Sequence, residues 1–443
     1  MMKTFSIGGI HPSDSKISKD CKIEVLPLPS KVFISVAQHL GAPATPVVKA
    51  GDQVKAGQDI AEPAGFISAY VHSSVSGTVK SVGPRKDIAG NNMTHIEIDV
   101  EGDEWVEGVD LSDTLVTAIP EDNKEILDKI KLNGVVGLGG ATFPTHVKLC
   151  PPPGKKAECL ILNGAECEPY LTSDNRIMLE RSKEIVIGAA IMKQVLGGCP
   201  AVIGIEENKP EAIRILQELV KDEPRIEVCP LQTKYPQGGE RFLIYAVTGG
   251  REINSTMLPA DAGCVVDNVD TVVSIYNAVC ENTPLIRKII TVTGDAVVNP
   301  QNFAVRLGTN YQEVLEAAGG FKTEPEKIIS GGPMMGQALF SLDIPVMKNS
   351  SALTCLTKDE VAANAETACI RCGRCVDVCP GHVVPQMMMA AAERHDLAMF
   401  EKLNGMECCE CGSCTFICPA HRPLTQAFKE MRKAVMAERR KKA

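Results

Sequence analysis

The sequence predicts a multidomain α/β protein, and three observations support this prediction. The chain has 443 residues, which is enough for roughly two to four domains. Short strands and turn pairs dominate the first 119 residues, whereas helices alternate with apolar strands over residues 120–285. The 18 cysteines concentrate after residue 350. We therefore expect at least three separate units along the chain.

Composition and charge exclude several classes of function. The apolar content of 44% and the charged content of 23% are typical of a globular protein. A net charge of −9 and a single Trp argue against a nucleic-acid-binding protein. No window of about 18 uninterrupted apolar residues occurs, and the first twelve residues are too short for a signal peptide. We therefore expect a cytosolic protein, in which cysteines bind metals or fill cores more often than they form disulfides.

Residues 1–119 are expected to form a β domain. Apolar residues alternate with turn pairs over residues 45–83, and residues 48–62 and 71–83 look like a pseudo-symmetric pair of hairpins. This pattern resembles the barrel-sandwich fold of biotinyl and lipoyl carriers. The turn at residues 63–66 has no lysine to carry a cofactor, so a structural role is favoured over a carrier function.

The middle of the chain is expected to hold an α/β domain with a largely parallel sheet (residues 120–285) and a small β-grasp unit (residues 286–345). The predicted α/β elements are helices at residues 121–132, 174–196, 209–221 and 270–281 and strands at residues 159–162, 201–205 and 225–229. The predicted β-β-α-β elements of the second unit are strands at residues 288–293 and 297–306, a helix at residues 309–318 and a strand at residues 327–330.

A repeated cysteine motif is the strongest signal. The spacing Cys-x2-Cys-x2-Cys-x3-Cys-Pro occurs at residues 369–380 and again at residues 408–419. It is the spacing of bacterial two-cluster ferredoxins, in which the fourth cysteine of each run binds the other cluster. A zinc site would leave the final x3-Cys-Pro unexplained. The motif predicts two [4Fe–4S] clusters, one held by Cys369, Cys372, Cys375 and Cys418 and the other by Cys408, Cys411, Cys414 and Cys379.

The rest of the C-terminal part is expected to be helical. Residues 383–403, between the two motifs, have helical character, so residues 355–428 are predicted to be a helical two-cluster ferredoxin domain. Cys409 breaks the spacing and is expected to point away from both clusters. Residues 429–443 are rich in Lys and Arg and are expected to form a basic, solvated helix end.

A glycine-rich segment at residues 134–148 and a polar segment at residues 163–170 form a second signal. Glycines permit close approach of the backbone to a phosphate, and Lys148 supplies positive charge. The polar segment follows a predicted strand, and ligands of α/β folds bind at the carboxyl ends of such strands. These features alone are weak, since neither the Walker nor the Rossmann spacing is present.

Together with residues 235–240 and 267–271, these segments resemble the NADH-oxidising flavoprotein subunit of respiratory complex I. The resemblance implies that FMN is bound non-covalently and that NAD(H) is the substrate. The FMN candidates that it implies are Gly137, Gly139, Gly140, Lys148, Asn163, Gly238, Asn268 and Thr271. The candidates for the nicotinamide side, taken as catalytic, are Phe143, Glu166, Glu168 and Glu240.

Four positions depart from that flavoprotein. Ala165, Tyr170, Gly239 and Asp267 stand where it has Asp, Gly, Glu and Asn. With the Gly-Gly-Ile-His-Pro opening, these departures resemble the C subunit of the Rnf complex over essentially the whole chain. This resemblance implies ferredoxin:NAD+ oxidoreduction coupled to Na+ or H+ transport. It implies a peripheral protein on the cytoplasmic side of the bacterial cell membrane, with integral-membrane subunits and an iron–sulfur, ferredoxin-like subunit as partners.

The cofactors form a coherent set, because a flavin can divide the two electrons of a hydride between clusters that each take one. One alternative is a flavin and iron–sulfur cobalamin reductase of a bacterial microcompartment, which shares this domain order. Another is a non-catalytic electron-wiring subunit with a vestigial flavin site, although the retained Lys148, Asn163 and Glu166 argue against it. The eight-cysteine motif argues against the related subunit of the sodium-pumping NADH:quinone reductase.

Overall fold

The computed structural model describes residues 2–442, and only Met1 and Ala443, the outermost residues of the expected N-terminal domain and basic tail, lie outside it. Within the described residues the strands form four sheets, and the helices lie in the middle and at the C-terminal end of the chain. The change of pattern near residue 120 is therefore a real change of architecture.

Most of the N-terminal strands form two small sheets around one core. The strands are β1 (Ile23–Val25), β2 (Lys31–Ser35), β3 (Thr45–Pro46), β4 (Gln53–Val54), β5 (Asp59–Glu62), β6 (Val71–His72), β7 (Ser76–Lys86) and β8 (Asn92–Gly102). One antiparallel sheet has the order β2-β8-β7-β4, and the other has the order β3-β5-β6. Val32, Ile34, Ile96 and Ile98 alternate along β2 and β8 and are fully buried in this core.

The next unit is an α/β domain with a parallel four-stranded sheet, as the alternation of elements predicts. Its elements are α1 (Asn123–Leu132), α2 (Thr145–Lys148), β9 (Cys159–Gly164), α3 (Ser173–Glu180), α4 (Ser182–Val195), β10 (Ala201–Glu206), α5 (Pro210–Leu219), β11 (Ile226–Leu231), α6 (Glu240–Thr248), β12 (Cys264–Asn268) and α7 (Val269–Cys280). The strand order is β11-β10-β9-β12, and all three pairings are parallel.

This domain differs from the expectation in two respects. The single helix expected over residues 174–196 is two helices, because Arg181 leaves helical geometry and its guanidinium instead binds Glu184 and, at 3.0 Å, Asn277 of α7. The elements α6 and β12 were not predicted. Both lie beside glycine-containing segments that obscure their period, and β12 completes the sheet edge on which the candidate site is built.

A mixed six-stranded sheet follows. Its elements are β13 (Arg287–Thr293), β14 (Gln301–Arg306), α8 (Tyr311–Ala317), β15 (Lys327–Ser330), β16 (Gln337–Ala338) and β17 (Ala352–Leu356). The β-β-α-β order is present, but the sheet extends beyond residues 286–345. β17 pairs in parallel with β13, and β1 from the N-terminal segment pairs in parallel with β14. The domain boundary expected at residue 345 therefore excludes β17, a central strand of this sheet. The boundary expected between residues 119 and 120 likewise assigns β1 to a different domain from the rest of its sheet.

The C-terminal unit is helical, as expected. Its helices are α9 (Glu360–Ala363), α10 (Arg374–Asp377), α11 (Pro385–Ala392), α12 (Leu397–Lys402), α13 (Ser413–Phe416) and α14 (Leu424–Lys442). The basic helix end expected from residue 429 is the last part of α14, in which Lys433, Arg440 and Lys441 are exposed. It is not wholly solvated, because Met431 and Val435 are buried on one face of the helix. None of the described helices is long and apolar enough to cross a membrane.

Candidate functional site

A cavity of about 640 Å³ lies at the carboxyl ends of β9 and β12, between the α/β domain and residues 330–351 of the following unit. This is the edge at which ligands bind in open α/β sheets. Every residue expected to hold FMN or NADH lines the cavity, with the exception of Thr271. Thr271 is fully buried behind the wall, where its hydroxyl accepts a hydrogen bond from the backbone N of Leu138 at 2.9 Å. It therefore supports the glycine-rich segment rather than facing a ligand.

The glycine-rich segment presents bare backbone to the cavity. The backbone N of Gly137 donates to the carbonyl O of Phe143 at 2.9 Å and closes a tight loop. A Cβ added to Gly139 would lie 3.1 Å from Cβ of Asn268, and Gly140 has φ +142°, which favours glycine. Gly238 faces this loop across the cavity, where an added Cβ would lie 3.3 Å from Cys167 Sγ. The absence of side chains at these glycines allows a ligand to approach the backbone closely.

Lys148 and Asp267 form a buried ion pair in the cavity wall. Nζ of Lys148 donates to Oδ1 of Asp267 at 2.8 Å and to the carbonyl O of Val266 at 2.9 Å. Burial lowers the pKa of Lys148, but the Asp267 carboxylate outweighs this effect and raises it. The Asp267 side chain is fully buried, and its Oδ2 has no hydrogen-bond partner among the described residues. Since an ammonium has three N–H donors, one donor of Lys148 remains for a ligand.

Two asparagines occupy neighbouring strand ends. Asn163 at the end of β9 and Asn268 at the end of β12 are paired in the sheet register. Nδ2 of Asn163 donates to the carbonyl O of Gly238 at 2.8 Å. Asn268 caps α7, since its Oδ1 accepts from the backbone N of Asp270 at 2.9 Å. Both side chains therefore fix the loops around the cavity and also line it.

Glu166 lines the cavity and also caps a helix. Its Oε1 accepts from the backbone N of Asp174 at 2.7 Å, and its Oε2 accepts from the backbone N of Asn175 at 3.3 Å, so the carboxylate satisfies the first turn of α3. Glu166 has φ +44° and Tyr170 has φ +71°. Tyr170, which stands where the flavoprotein of complex I has Gly, thus keeps a backbone conformation that favours glycine.

Glu168 connects the cavity to the loop at residues 331–336. Its Oε1 accepts hydrogen bonds from the backbone N of Met334 at 2.7 Å and of Met335 at 3.0 Å. A Cβ added to Gly332 would clash with Cγ of Glu168, which explains the glycine at that position. Burial raises the pKa of Glu168, while the Met335 and Met334 N–H groups oppose this effect. The carboxylate therefore orders two walls of the cavity at once.

Lys16 is a site residue that the sequence reasoning missed. Its buried Nζ donates to the carbonyl O atoms of Glu166 at 2.9 Å, Glu168 at 2.8 Å and Leu171 at 2.6 Å. The N-terminal segment thereby holds the loop between β9 and α3 in shape. Only the Gly-Gly-Ile-His-Pro opening a few residues earlier marked this segment, and nothing in the sequence connected its lysine with residues 166–171.

The motif cysteines form two groups, and each group contains one cysteine of the other motif. Cys379 of the first motif lines one small pocket with Cys408, Cys411 and Cys414 of the second motif. In the same way, Cys418 and Cys369 lie near Cys375. Among residues 2–442 no three His, Cys, Asp or Glu side chains lie close enough to hold a single metal ion, whereas a four-iron cluster needs its thiolates further apart. The ligand assignment stays a prediction.

The position of Cys409 differs from the expectation. Its side chain does not turn away from the second motif but lies against Cys411, in the same small pocket. It packs with Ile10, Tyr235 and Cys411 in one apolar cluster. The reason is that Cys409 and Cys411 pack against Tyr235 of the α/β domain. The spacing of the cysteines alone does not reveal this contact between domains.

The cavity and the pocket of Cys379 and Cys411 are adjacent. Tyr235 lines the cavity, and its hydroxyl donates to the carbonyl O of Cys411 at 2.6 Å. The backbone N of Gly9 donates to the carbonyl O of Val378 at 2.9 Å on the same side. In contrast, Cys369 and Cys372 of the first motif are exposed. The two cysteine groups thus lie at different depths, one beside the cavity and one at the surface.

Comparison with known proteins decides the family. Residues 3–103, 130–277 and 289–338 match the models described as RnfC barrel sandwich hybrid domain, Nuo51 FMN-binding domain and SLBB domain. The C subunit of the Na(+)-translocating ferredoxin:NAD(+) oxidoreductase complex of Acetobacterium woodii is 44% identical over 98% of this chain and 98% of its own length. The chain belongs to the RnfC family, the C subunits of Rnf complexes. This confirms the resemblance and the barrel-sandwich fold of the N-terminal domain.

Another member of the family and one solved structure agree. The C subunit of the proton-translocating ferredoxin:NAD(+) oxidoreductase complex of Clostridium ljungdahlii is 48% identical over 89% of this chain and 85% of its own length. A chain of the NAD+-reducing [NiFe]-hydrogenase in the air-oxidized state superposes with a TM-score of 0.51 at 20% identity, and the match covers 65% of this chain and 57% of that chain. The hydrogenase comparison shows a shared fold.

Proposed function

We propose that this RnfC chain is the NAD(H)-facing electron-transfer component of a membrane-bound, ion-translocating ferredoxin:NAD+ oxidoreductase. The observation that carries the proposal is the contact between the cavity and the second cysteine group, in which Tyr235 lines the cavity and donates to the carbonyl O of Cys411. A site for a two-electron carrier thus adjoins a site for one-electron carriers. The names of the family members support the same activity.

The residues of the cavity fit FMN. The bare backbone at residues 137–140 and the free N–H donor of Lys148 suit a phosphate, and the match to an FMN-binding domain covers both. Phe143, Glu168 and Glu240 line the cavity and are the open candidates for contact with NAD(H). When bound, FMN supplies the exchange between the two electrons of a hydride and single electrons. Glu166, Glu168 and Lys16 keep the surrounding loop in place.

The cysteine groups fit two [4Fe–4S] clusters at successive distances from the cavity. Burial raises the pKa of the Cys408 thiol to about 11 and that of Cys414 to about 12, so these groups are protonated when free. A cluster would hold them as thiolates, which couples its binding to proton release. The group with Cys379 lies beside the cavity, and the exposure of Cys369 supports electron exchange with a partner at the other group.

The partners follow from the family. We propose that the chain binds peripherally to integral-membrane subunits on the cytoplasmic side of the bacterial cell membrane. We further propose that it exchanges electrons with an iron–sulfur, ferredoxin-like subunit at the exposed cysteine group. No nucleic acid is involved in this function.

Anaerobic purification of the full chain tests the cofactor set. Extraction of flavin and counting of iron and acid-labile sulfide should give about one FMN and about eight irons per chain. A Cys150→Ser variant, which changes an exposed cysteine outside both motifs, should give the same values. Zinc in place of iron, or a cavity that retains no FMN, would contradict the proposal.

Replacing Glu168 by glutamine separates its structural role from its charge. Both N–H donors bind Oε1, and the glutamine carbonyl can accept the same two bonds, so the loop at residues 331–336 should stay in place. We expect unchanged FMN content and impaired NADH oxidation, measured as kcat/KM for NADH with a one-electron acceptor. Glu168→Ala is the matched comparison and should also destabilise the fold. Full NADH turnover in Glu168→Gln would exclude a role of this charge at the nicotinamide side.

A further inference from the structure

The carboxyl groups that line the cavity differ in their hydrogen-bond and ion-pair partners. Both oxygens of Glu166 and Oε1 of Glu168 accept backbone N–H groups, and Asp267 pairs with Lys148. Glu240 is exposed at the start of α6. Asp174 also lines the cavity. Its Oδ2 accepts from the neutral Nδ2 of Asn268 at 2.7 Å, and its Oδ1 is the oxygen that remains for a proton.

Asp174 faces other charged groups from three directions. The Glu166 carboxylate lies at the start of its own helix, Asp270 approaches from α7, and Lys288 approaches from β13 and pairs with Asp270. The burial of Asp174, and then the negative charge of Glu166, raise its pKa to about 7, although Lys288 opposes the shift. The group therefore changes its protonation in the neutral range, at the wall of the cavity.

The proposed reaction creates a need for such a group. Oxidation of NADH to NAD+ delivers two electrons and one proton, and each [4Fe–4S] cluster takes one electron without a proton. One proton per NADH must therefore leave the cavity during oxidation. One proton must enter it during reduction of NAD+.

We propose that Asp174 carries this proton, so that its Oδ1 takes the proton during NADH oxidation and returns it during NAD+ reduction. The inference rests on the proposed function and adds a residue outside the predicted set. The bond that forms in the oxidation direction is O–H on Oδ1, and the electrons leave separately through the cysteine groups. The Asn268 side chain holds the other oxygen by its hydrogen bond, and both residues line the cavity.

This role predicts opposite pH dependences for the two directions. Above pH 7 the Asp174 carboxylate is ionised and able to accept the proton, so NADH oxidation should be fast and should slow as the pH falls below 7. Reduction of NAD+ needs the protonated form and should slow as the pH rises above 7. Positioned acid–base groups of this kind contribute rate factors of about 10²–10⁴.

The test uses the full chain, with Asp174→Asn compared with Asp222→Asn, which changes an exposed acid remote from the cavity. Infrared spectra of the flavin-free chain at pH 5 to 9 should show a protonated carboxyl band that titrates near pH 7 in the wild type and Asp222→Asn and is missing from Asp174→Asn. After loading with FMN, Asp174→Asn should oxidise NADH about 10²-fold or more slowly, with an unchanged KM and without the acid limb.

Each outcome is decisive. An Asp174→Asn variant that keeps the infrared band or the wild-type pH profile overturns the inference. If that variant does not fold or does not retain FMN, Asp174→Glu takes its place. We expect Asp174→Glu to keep the acid limb of the pH profile with a shifted midpoint. A profile identical to that of the wild type overturns the inference. If the wild-type chain shows the band but neither binds FMN nor oxidises NADH, the proposed function fails, and the infrared result shows that the buried acid itself is real.

Discussion

Replacing Cys379 by serine is expected to remove the cluster of the second motif, although Cys379 belongs to the first. Cys379 lines the pocket of Cys408, Cys411 and Cys414, so its loss deprives that cluster of its fourth thiolate. The iron content should fall from about eight to about four per chain. Electron paramagnetic resonance of the reduced chain should show one remaining cluster signal and no interaction between two clusters.

Matched variants sharpen this experiment. Cys418→Ser should remove the other cluster, because Cys418 and Cys369 both lie near Cys375. Cys409→Ser should leave both clusters, even though its side chain touches Cys411. A Cys379→Ser chain that loses the signal of the first motif, or a Cys409→Ser chain that loses iron, would show that the crossed assignment is wrong.

Replacing Lys148 by alanine is expected to have two large and separable effects. It leaves the fully buried Asp267 carboxylate without its cation, and breaking a buried ion pair in this way typically costs about 3–5 kcal/mol of unfolding free energy. It also removes a donor to the FMN phosphate, a charge-assisted contact of about 1.5–3 kcal/mol. Urea denaturation of the flavin-free chain measures the first effect, and quenching of FMN fluorescence measures the second.

The double variant Lys148→Ala with Asp267→Asn separates these effects. Removing the buried charge together with its partner should recover most of the lost stability, because no unpaired carboxylate remains. FMN affinity should stay low, since the phosphate donor is still missing. A double variant that binds FMN as tightly as the wild type would show that Lys148 does not contact the ligand.

Local patterns in the sequence predicted the features that depend on local geometry. The alternation of helices and strands predicted the parallel sheet, and the cysteine spacing predicted the grouping of Cys379 with the second motif. The segment after β9 was expected at the carboxyl end of the sheet, where it lines the cavity. The parallel sheet was predictable because a strand end fixes the position of the residues that follow it, whereas the assignment of the cluster ligands stays a prediction.

Features that join distant parts of the chain could not be predicted in this way. The pairing of β1 with β14, the three carbonyl contacts of Lys16, and the bond between Glu168 and the loop at Met334 each join segments more than 100 residues apart. Such contacts depend on how the domains pack against one another, and no periodic pattern records that packing. The departure at Asp267 was visible in the sequence, but its reason, the buried pair with Lys148, required the structure.

The central claim is that electrons pass from the cavity first to the adjacent cysteine group and then to the exposed one. The most direct test of this claim is rapid mixing of the anaerobic chain with NADH, followed by electron paramagnetic resonance. In the wild type both clusters should be reduced after the flavin. In Cys418→Ser the cluster beside the cavity should still be reduced at the wild-type rate. In Cys379→Ser the exposed cluster should be reduced far more slowly, because the intermediate carrier is missing. Reduction of the exposed cluster at the wild-type rate in Cys379→Ser would contradict this order of electron transfer.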